Sequence, residues 1–419
     1  MEIARSANVQ GTGKLRAIVI GGGRRGCGSA EDFLRNPETE IVAIADAFED
    51  KAKQAAELLE LPEEKCLWGF DAYKRALELD CEYVILATPP GFRPIHYRAA
   101  IEAGKNVFME KPCCVDVPGY HLLMETNKIA DAKGLKVGVG LQRHHEVAYL
   151  KGIQEIADGK YGDIYYMRVY WNGGGTRVHE RQPGWSEMEF QMRNWYYFQW
   201  LCGDHICEQH VHNLDIANWV MTVTLGGKPG PDYAHPVEAC TLGGRQVRKD
   251  NPNYGQIFDH HFTEFTYADG RKMFSQARQQ NNAWPQVAEF VHGSKGSGNV
   301  PSRVGRKNSN EVYDWKAMAK SSSGPFPQEH KDLVEAIRSG TYYNEGWHGA
   351  ISSMTGVLGR TASYSGQVVR WDDLVEKGRD KPLMIYENHA QLTMASTPPV
   401  LPLEDGSYPV PCPGVWKPW

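Results

Sequence analysis

At 419 residues, with 41% hydrophobic residues and a formal net charge of −5 at pH 7, the chain is long enough for two domains around a large core. The mild acidity argues against a general binder of nucleic acid or of anionic membranes, and no apolar run is long enough to span a bilayer. Met1–Gly13 lacks the apolar centre of an export signal, and nine cysteines without a C-x-x-C pair fit reduced thiols; a cytoplasmic location is expected, a trimmed leader being the alternative.

Residues 1–14 read as a loose arm. Leu15–Ile20 is a buried strand that breaks into Gly21-Gly22-Gly23-Arg24-Arg25-Gly26, a G-x-G-x-x-G turn. Ala30, Phe33 and Leu34 follow at helical spacing, and a second strand, Ile41–Ala45, ends on Asp46. Gly21 permits the tight turn, Gly23 leaves room for a pyrophosphate and Gly26 lets the helix lie close on the strand. The helix N-terminus offers N–H groups to phosphates, and Asp46 offers acceptors to a ribose diol. A carboxylate there repels a 2′-phosphate, so NAD is expected over NADP, with Arg24 and Arg25 as the residues that would reverse that preference.

Helices are expected at Glu49–Leu59 and Asp71–Leu79, then a strand at Tyr83–Ala87 feeding Thr88-Pro89-Pro90, and a helix at His96–Ala103. Asn106–Met109 is a further strand that ends in Glu110-Lys111-Pro112; helix Asp116–Ala132 and strand Lys136–Gly140 close the series. This alternation implies a parallel sheet, so residues 15–140 are expected to form an NAD-binding domain. The pattern then changes. Ile164–Trp171, a hairpin of Phe258–Tyr267 and Lys272–Ala277, and Gln286–His292 are strands without intervening helices, which implies an antiparallel sheet in residues 141–395. Gln328–Ser339 and Trp347–Tyr364 read as amphipathic helices. Residues 396–419 are dense in proline and read as an extended arm on another surface, across a neighbour if the chain assembles. Open-sheet faces need covering, so a homodimer or homotetramer is expected.

Two stretches carry chemistry. Lys111 ends a parallel strand, where ligands bind in open α/β sheets. In Gly203–Asp215, a continuous helix would put Glu208, His212 and Asp215 on one face, with the histidine as a general base. Two other readings remain open: polar groups bonding each other, or a metal site using His205, His210, His212 and Glu208. No metal is expected, because His210 and His212 cannot share a helical face and no cysteine pair supports zinc. The aromatic stretch Tyr165–Trp200, with Asn194 and Trp195, is a candidate wall for a sugar-sized pocket.

The glycine turn with Asp46, Glu110-Lys111-Pro112 and Glu208-Gln209-His210-Val211-His212 resemble, in order and spacing, the Gfo/Idh/MocA family of oxidoreductases, over roughly Leu15 to Trp371. The resemblance implies an α/β fold: an N-terminal Rossmann domain, then an α/β domain with a large, open, predominantly antiparallel sheet. It implies hydride transfer between a nicotinamide cofactor and a sugar or cyclitol carbon. Lys111 matches the lysine that touches substrate and nicotinamide ribose, His212 the histidine that takes the hydroxyl proton, and Pro112 a proline usually in the cis form. Glu208 stands where many members have aspartate, and Thr88-Pro89-Pro90 replaces Thr-Pro-Asn. Thr88, Pro89, His96 and Glu110 join the glycine turn as implied cofactor contacts, and Arg143 and His144 fall where members place pocket residues; the structural reading of Arg143 is a domain-interface salt bridge.

The expected activity is an NAD-dependent dehydrogenase of a sugar, glycoside or cyclitol ring hydroxyl. The alternative is a redox-neutral NAD-dependent glycosidase that oxidises C3 transiently, eliminates the aglycone and reduces again. A third reading is a dinucleotide-binding protein without catalysis, which the presence of both Lys111 and His212 disfavours.

Overall fold

The computed structural model describes residues 13–249, 251–300, 303–306 and 324–419, so the expected N-terminal arm, apart from Gly13 and Lys14, lies outside the described residues. The first sheet has six parallel strands in the order β3-β2-β1-β4-β5-β6: β1 Leu15–Ile20, β2 Thr39–Asp46, β3 Cys66–Trp68, β4 Tyr83–Leu86, β5 Asn106–Met109 and β6 Val137–Val139. Alternating side chains of β1 build two cores. Ala17 and Val19 pack with Phe33 on one side, and Ile18 and Ile20 with Tyr97 and Ala100 on the other. The short strand β3 was not foreseen, because three residues are too few to show a period. The helix Pro325–Ser339 returns from far along the chain to this sheet, packing Leu333 and Val334 against Phe108 and Tyr83.

The second sheet has eight strands in the order β13-β12-β11-β7-β10-β9-β8-β14: β7 Ile164–Gly173, β8 Pro236–Gly244, β9 His260–Tyr267, β10 Lys272–Gln279, β11 Gln286–Gly293, β12 Gly296–Asn299, β13 Arg303–Arg306 and β14 Val369–Arg370. Only the β7–β10 pair is parallel, and β9–β10 is the expected hairpin. One face is buried: Ala239, Phe265, Met273, Met167 and Val291 form a register row that packs on the helices Val211–Thr224 and Gly346–Ser365. The other face is open. Leu242 and Phe262 stand opposite each other on it, 77% and 42% exposed, in line with Gln276 and Tyr170.

Residues 396–419 contain no helix or strand, as their prolines dictate. The arm lies on its own chain: Tyr408 is buried and its hydroxyl donates to Glu187, while Trp416 meets Tyr364 edge-on at 5.8 Å. All nine cysteines are free thiols, seven of them buried. Among the described residues no helix is long and apolar enough to cross a membrane.

Candidate active site

Beyond the C-terminal ends of β1, β2 and β4 lies a cleft of about 1260 Å³, above the roughly 300–1,000 Å³ of ordinary small-molecule pockets. Gly21, Gly23, Arg24, Arg25, Asp46, Thr88, Pro89 and His96 line it. Its glycine turn is shaped by contact. A Cβ on Gly26 would lie 1.9 Å from the Gly21 carbonyl oxygen, and one on Gly21, at φ +107°, would meet the Ala87 carbonyl carbon at 2.6 Å. A Cβ on Gly23 would meet nothing within 4 Å. The chain is therefore tight behind the turn and open before it, where a pyrophosphate has room. Gly23 caps the helix Arg24–Leu34 without a side-chain partner, which leaves the first-turn N–H groups directed at that space. These features fit a dinucleotide.

Asp46 accepts from Gly22 N at 2.7 Å and Phe48 N at 2.9 Å, one through each oxygen, and each oxygen keeps a further lone pair. Burial pushes its pKa up. Arg25 faces inward: its guanidinium pairs with Glu110, lies 3.1 Å from Glu329 and sits 4.5 Å over the Phe326 ring. Glu110, expected as a cofactor contact, does not line the cleft. Its carboxylate is buried against Arg25, behind the cleft wall, and Gly26 likewise lies behind it.

Lys111 leaves β5 through a cis Lys111–Pro112 bond and reaches the segment after Gly203. Its Nζ lies 2.9 Å from Glu208 Oε1 and also donates to the Glu208 carbonyl. That segment is not one helix. His205–Glu208 is a single turn, His210 N bonds five residues back to His205 O, and a new helix starts at Val211. The break is anchored by His210 Nε2, 2.7 Å from Ser275 Oγ on β10. Glu208 is consequently outside the helix that carries His212 and Asp215, and the Asp215 carboxylate meets His144 at 2.7 Å, Ser352 at 2.8 Å and Tyr233 at 3.1 Å. His212 is buried, its Nδ1 has no partner, and its ring lies along Trp171 with centroids 5.8 Å apart. Burial first, then the charges of Lys111 and Arg143, hold its pKa well below the usual histidine value, so the imidazole is neutral.

Three expected pocket residues have other duties. Arg143 forms a buried pair with Glu289 on β11, whose carboxylate also accepts from Tyr149 and from Asn213, the residue after His212. This buried pair ties the segment after β6 to the second sheet, and the bond from Asn213 holds the helix beside His212 to the same carboxylate. His144 is stacked between Trp219 and His348 beside Asp215. Asn194 is buried, its amide bonding His179 N and Asn253 O. Trp195 does line the cleft. Asp204, His205 and His261 hold three ligand atoms within 4.8 Å, but the Asp204 oxygens already accept from His261, Tyr364 and Phe258 N. That network pins Asp204 at φ +76°. Glu289 and Glu329 are not marked in the sequence, since nothing local signals a carboxylate whose arginine partner is 146 or 304 positions away.

Fold and cleft together define a dinucleotide-binding oxidoreductase architecture. Residues 15–141 match the model of the Gfo/Idh/MocA oxidoreductase family with its NAD-binding Rossmann fold. It is 26% identical over 272 residues to the scyllo-inositol 2-dehydrogenase (NADP(+)) of Bacillus subtilis, covering 62% of this chain and 70% of that one. A glycosyl hydrolase family 109 protein of Streptomyces coelicolor is 30% identical over 171 residues, 40% of this chain and 34% of that one. The chain spans about half to seven-tenths of the length of the first curated relatives it matches. The crystal structure of GenD2 from gentamicin A biosynthesis, a complex with NAD, shares the fold at a TM-score of 0.65 and 17% identity, over 88% of this chain and 99% of that one.

Proposed function

We propose that the chain is an NAD-dependent dehydrogenase of a ring hydroxyl in a sugar, glycoside or cyclitol, with Lys111, His212 and Glu208 at the reacting carbon. The observation that carries this reading is the meeting of Lys111, from the end of the fifth parallel strand, with the segment bearing Glu208 and a neutral, buried His212. The glycine turn and Asp46 hold the dinucleotide, which when bound supplies a hydride acceptor. His212 takes the hydroxyl proton at its imidazole, which burial keeps unprotonated. Lys111 holds the same oxygen and stabilises the charge that develops on it. Glu208 keeps the lysine in place, and the Trp171 and Trp195 rings offer apolar faces to a sugar ring. NAD is preferred over NADP because Asp46 faces the ribose position while Arg25 is spent on Glu110 and Glu329.

A panel of sugars, inositols and glycosides, each assayed with NAD and with NADP, tests the reading. The expected result is net NADH formation, with turnover efficiency at least about tenfold higher for NAD, roughly 1.4 kcal/mol of discrimination. Equal efficiencies would show that Arg24 outweighs Asp46. The name of the Streptomyces relative favours a second reading, the redox-neutral glycosidase; release of free sugar without net NADH would select it. For assembly we propose a homodimer, or two dimers as a tetramer, through the open face of the second sheet around Leu242 and Phe262. A monomer at micromolar concentration in sedimentation would refute this.

A further inference from the structure

The cleft beside Asp46 is not walled by the loops of the first sheet alone. Arg177, His179, Trp185, Met192, Arg193 and Trp195 also line it, and all belong to the excursion of chain between β7 and the short helix Gln199–Cys202. Arg193 ties this excursion to the far wall. Its two terminal nitrogens lie 3.1 and 3.0 Å from the two carboxylate oxygens of Asp50, in the first turn of the helix Glu49–Leu58. The same guanidinium sits 4.1 Å over the Phe48 ring and 5.2 Å over Trp185, and its Nε lies 3.0 Å from Glu189. Phe48 and Asp50 follow Asp46 closely in sequence, so the tie crosses the cleft at its ribose-and-adenine end.

The excursion is stiffened from within and backed from outside. Asn194 Oδ1 accepts from His179 N at 2.9 Å, and Tyr197 donates its hydroxyl to the Thr176 carbonyl at 2.7 Å, so the two limbs close on each other. Ser186 caps the helix Glu187–Arg193 and donates to the Met394 carbonyl; Gln191 donates to the Val400 carbonyl at 2.7 Å. Tyr408 of the C-terminal arm donates to Glu187 and accepts from Arg181 at 3.1 Å. Cations reach the cleft from both sides, Arg177 from the excursion and Arg24 and Lys51 from the first sheet's side, beside the acids Asp46 and Glu31.

We propose that residues 176–198 form a strap over the adenosine end of the dinucleotide site, which keeps the cofactor bound from one turnover to the next. The proposal rests on the dinucleotide reading of the cleft. A rigid wall that spans the bound nucleotide has to part from Phe48 and Asp50 before the nucleotide leaves. The contact at Arg193 is therefore a barrier to release more than a source of affinity, and its loss acts on the off-rate. The arm behind the strap gives the proline-rich tail a duty within its own chain.

The test follows NADH release from the full-length protein. Protein loaded with NADH is mixed with excess NAD, and the loss of bound-nucleotide fluorescence is timed. Arg193→Met and Asp50→Asn are each expected to speed release about tenfold, equivalent to roughly 1.4 kcal/mol. The double variant is expected to release no faster than either alone, because both remove one contact. Asp50 is half-exposed, so Asp50→Asn tests the tie even if Arg193→Met lowers the yield of folded protein. Tyr408→Phe, which unfastens the arm, is expected to move release in the same direction. Release from both single variants within twofold of the unaltered protein would overturn the strap while leaving the dinucleotide site standing. An unaltered protein that shows no fluorescence change with NADH or NADPH would overturn both.

Discussion

His212→Ala is expected to lower kcat by about a hundredfold to ten-thousandfold, the usual effect of removing a general base, which is roughly 3–5 kcal/mol of barrier. Lys111→Met, which keeps the stem and removes the charge, should act similarly. The double variant should lose less than the sum, because both groups serve one oxygen. Dinucleotide affinity should stay nearly constant in both, since the glycine turn and Asp46 line the cleft and Lys111 and His212 do not. His210 is the informative control. It is buried against Ser275, and burial holds its pKa down at about 3. His210→Gln retains a side chain that can reach the serine, and should cost stability but little turnover. The acidic limb of kcat/KM adds a check. A base works unprotonated, and the pKa of His212 is held below the usual histidine range, so activity should persist as pH falls through 6.5 for as long as the chain stays folded. If His212→Ala keeps turnover within about threefold, the assignment of the base is wrong.

The legibility of the first sheet and the long-range contacts around the site differ in one physical respect. The glycine turn, the second strand and its acid lie within 30 residues, and each rests on local sterics: close approach of Gly26 to Gly21, open space before Gly23. Such constraints are written in the neighbouring residues. The second sheet is legible for the same reason wherever its strands alternate, and β8 is hidden because Ala239 and Cys240 are adjacent and two glycines follow Leu242, which spoils the alternation. The segment after Gly203 shows the limit. Its helical spacing holds from Val211 onward, yet the chain breaks at His210, which meets Ser275, 65 residues away, and Glu208 is left outside the helix of His212 and Asp215. Arg143 and Glu289 are 146 positions apart, and Arg25 and Glu329 are 304 apart. No periodicity predicts which carboxylate will meet which guanidinium. Residue types told where chemistry was possible, and long-range packing decided which of those groups remained open to a ligand.

The same burial that keeps His212 neutral recurs through the molecule and predicts strong acid sensitivity. Burial holds His210 and His330 down at about 3, and His348 and His389 at about 4. A histidine in the unfolded chain titrates near 6.5. Between those values the unfolded chain binds protons that the folded chain refuses, so the stability these groups confer is present above pH 6.5 and is lost as pH falls below it. At pH 5 the four histidines together account for about four protons taken up on unfolding. Glu329 and Asp46, whose pKa values burial raises, return at most about two, because the folded chain holds protons there that the unfolded chain has shed. His96, His205 and His212, which burial also holds well below 6.5, add to the uptake, so on balance unfolding takes up protons and stability falls as pH drops below 6.5. His145 acts in the opposite sense. Burial opposes its charge, but Glu345 and Asp332 outweigh it and lift the imidazole to about 10, so its contribution is complete below pH 6.5 and fades as pH rises towards 10. Urea midpoints measured from pH 7.5 to 4.5 should therefore fall steeply below pH 6.5, and a flat profile between pH 7 and 5 would refute the account. His389→Phe isolates one group. Neither ring nitrogen of His389 has a partner, and the ring lies 5.1 Å from Phe92 among aromatic neighbours. Phenylalanine should fit there at little cost or some gain at pH 7, and should flatten the acid slope by about one proton, near 1.4 kcal/mol per pH unit.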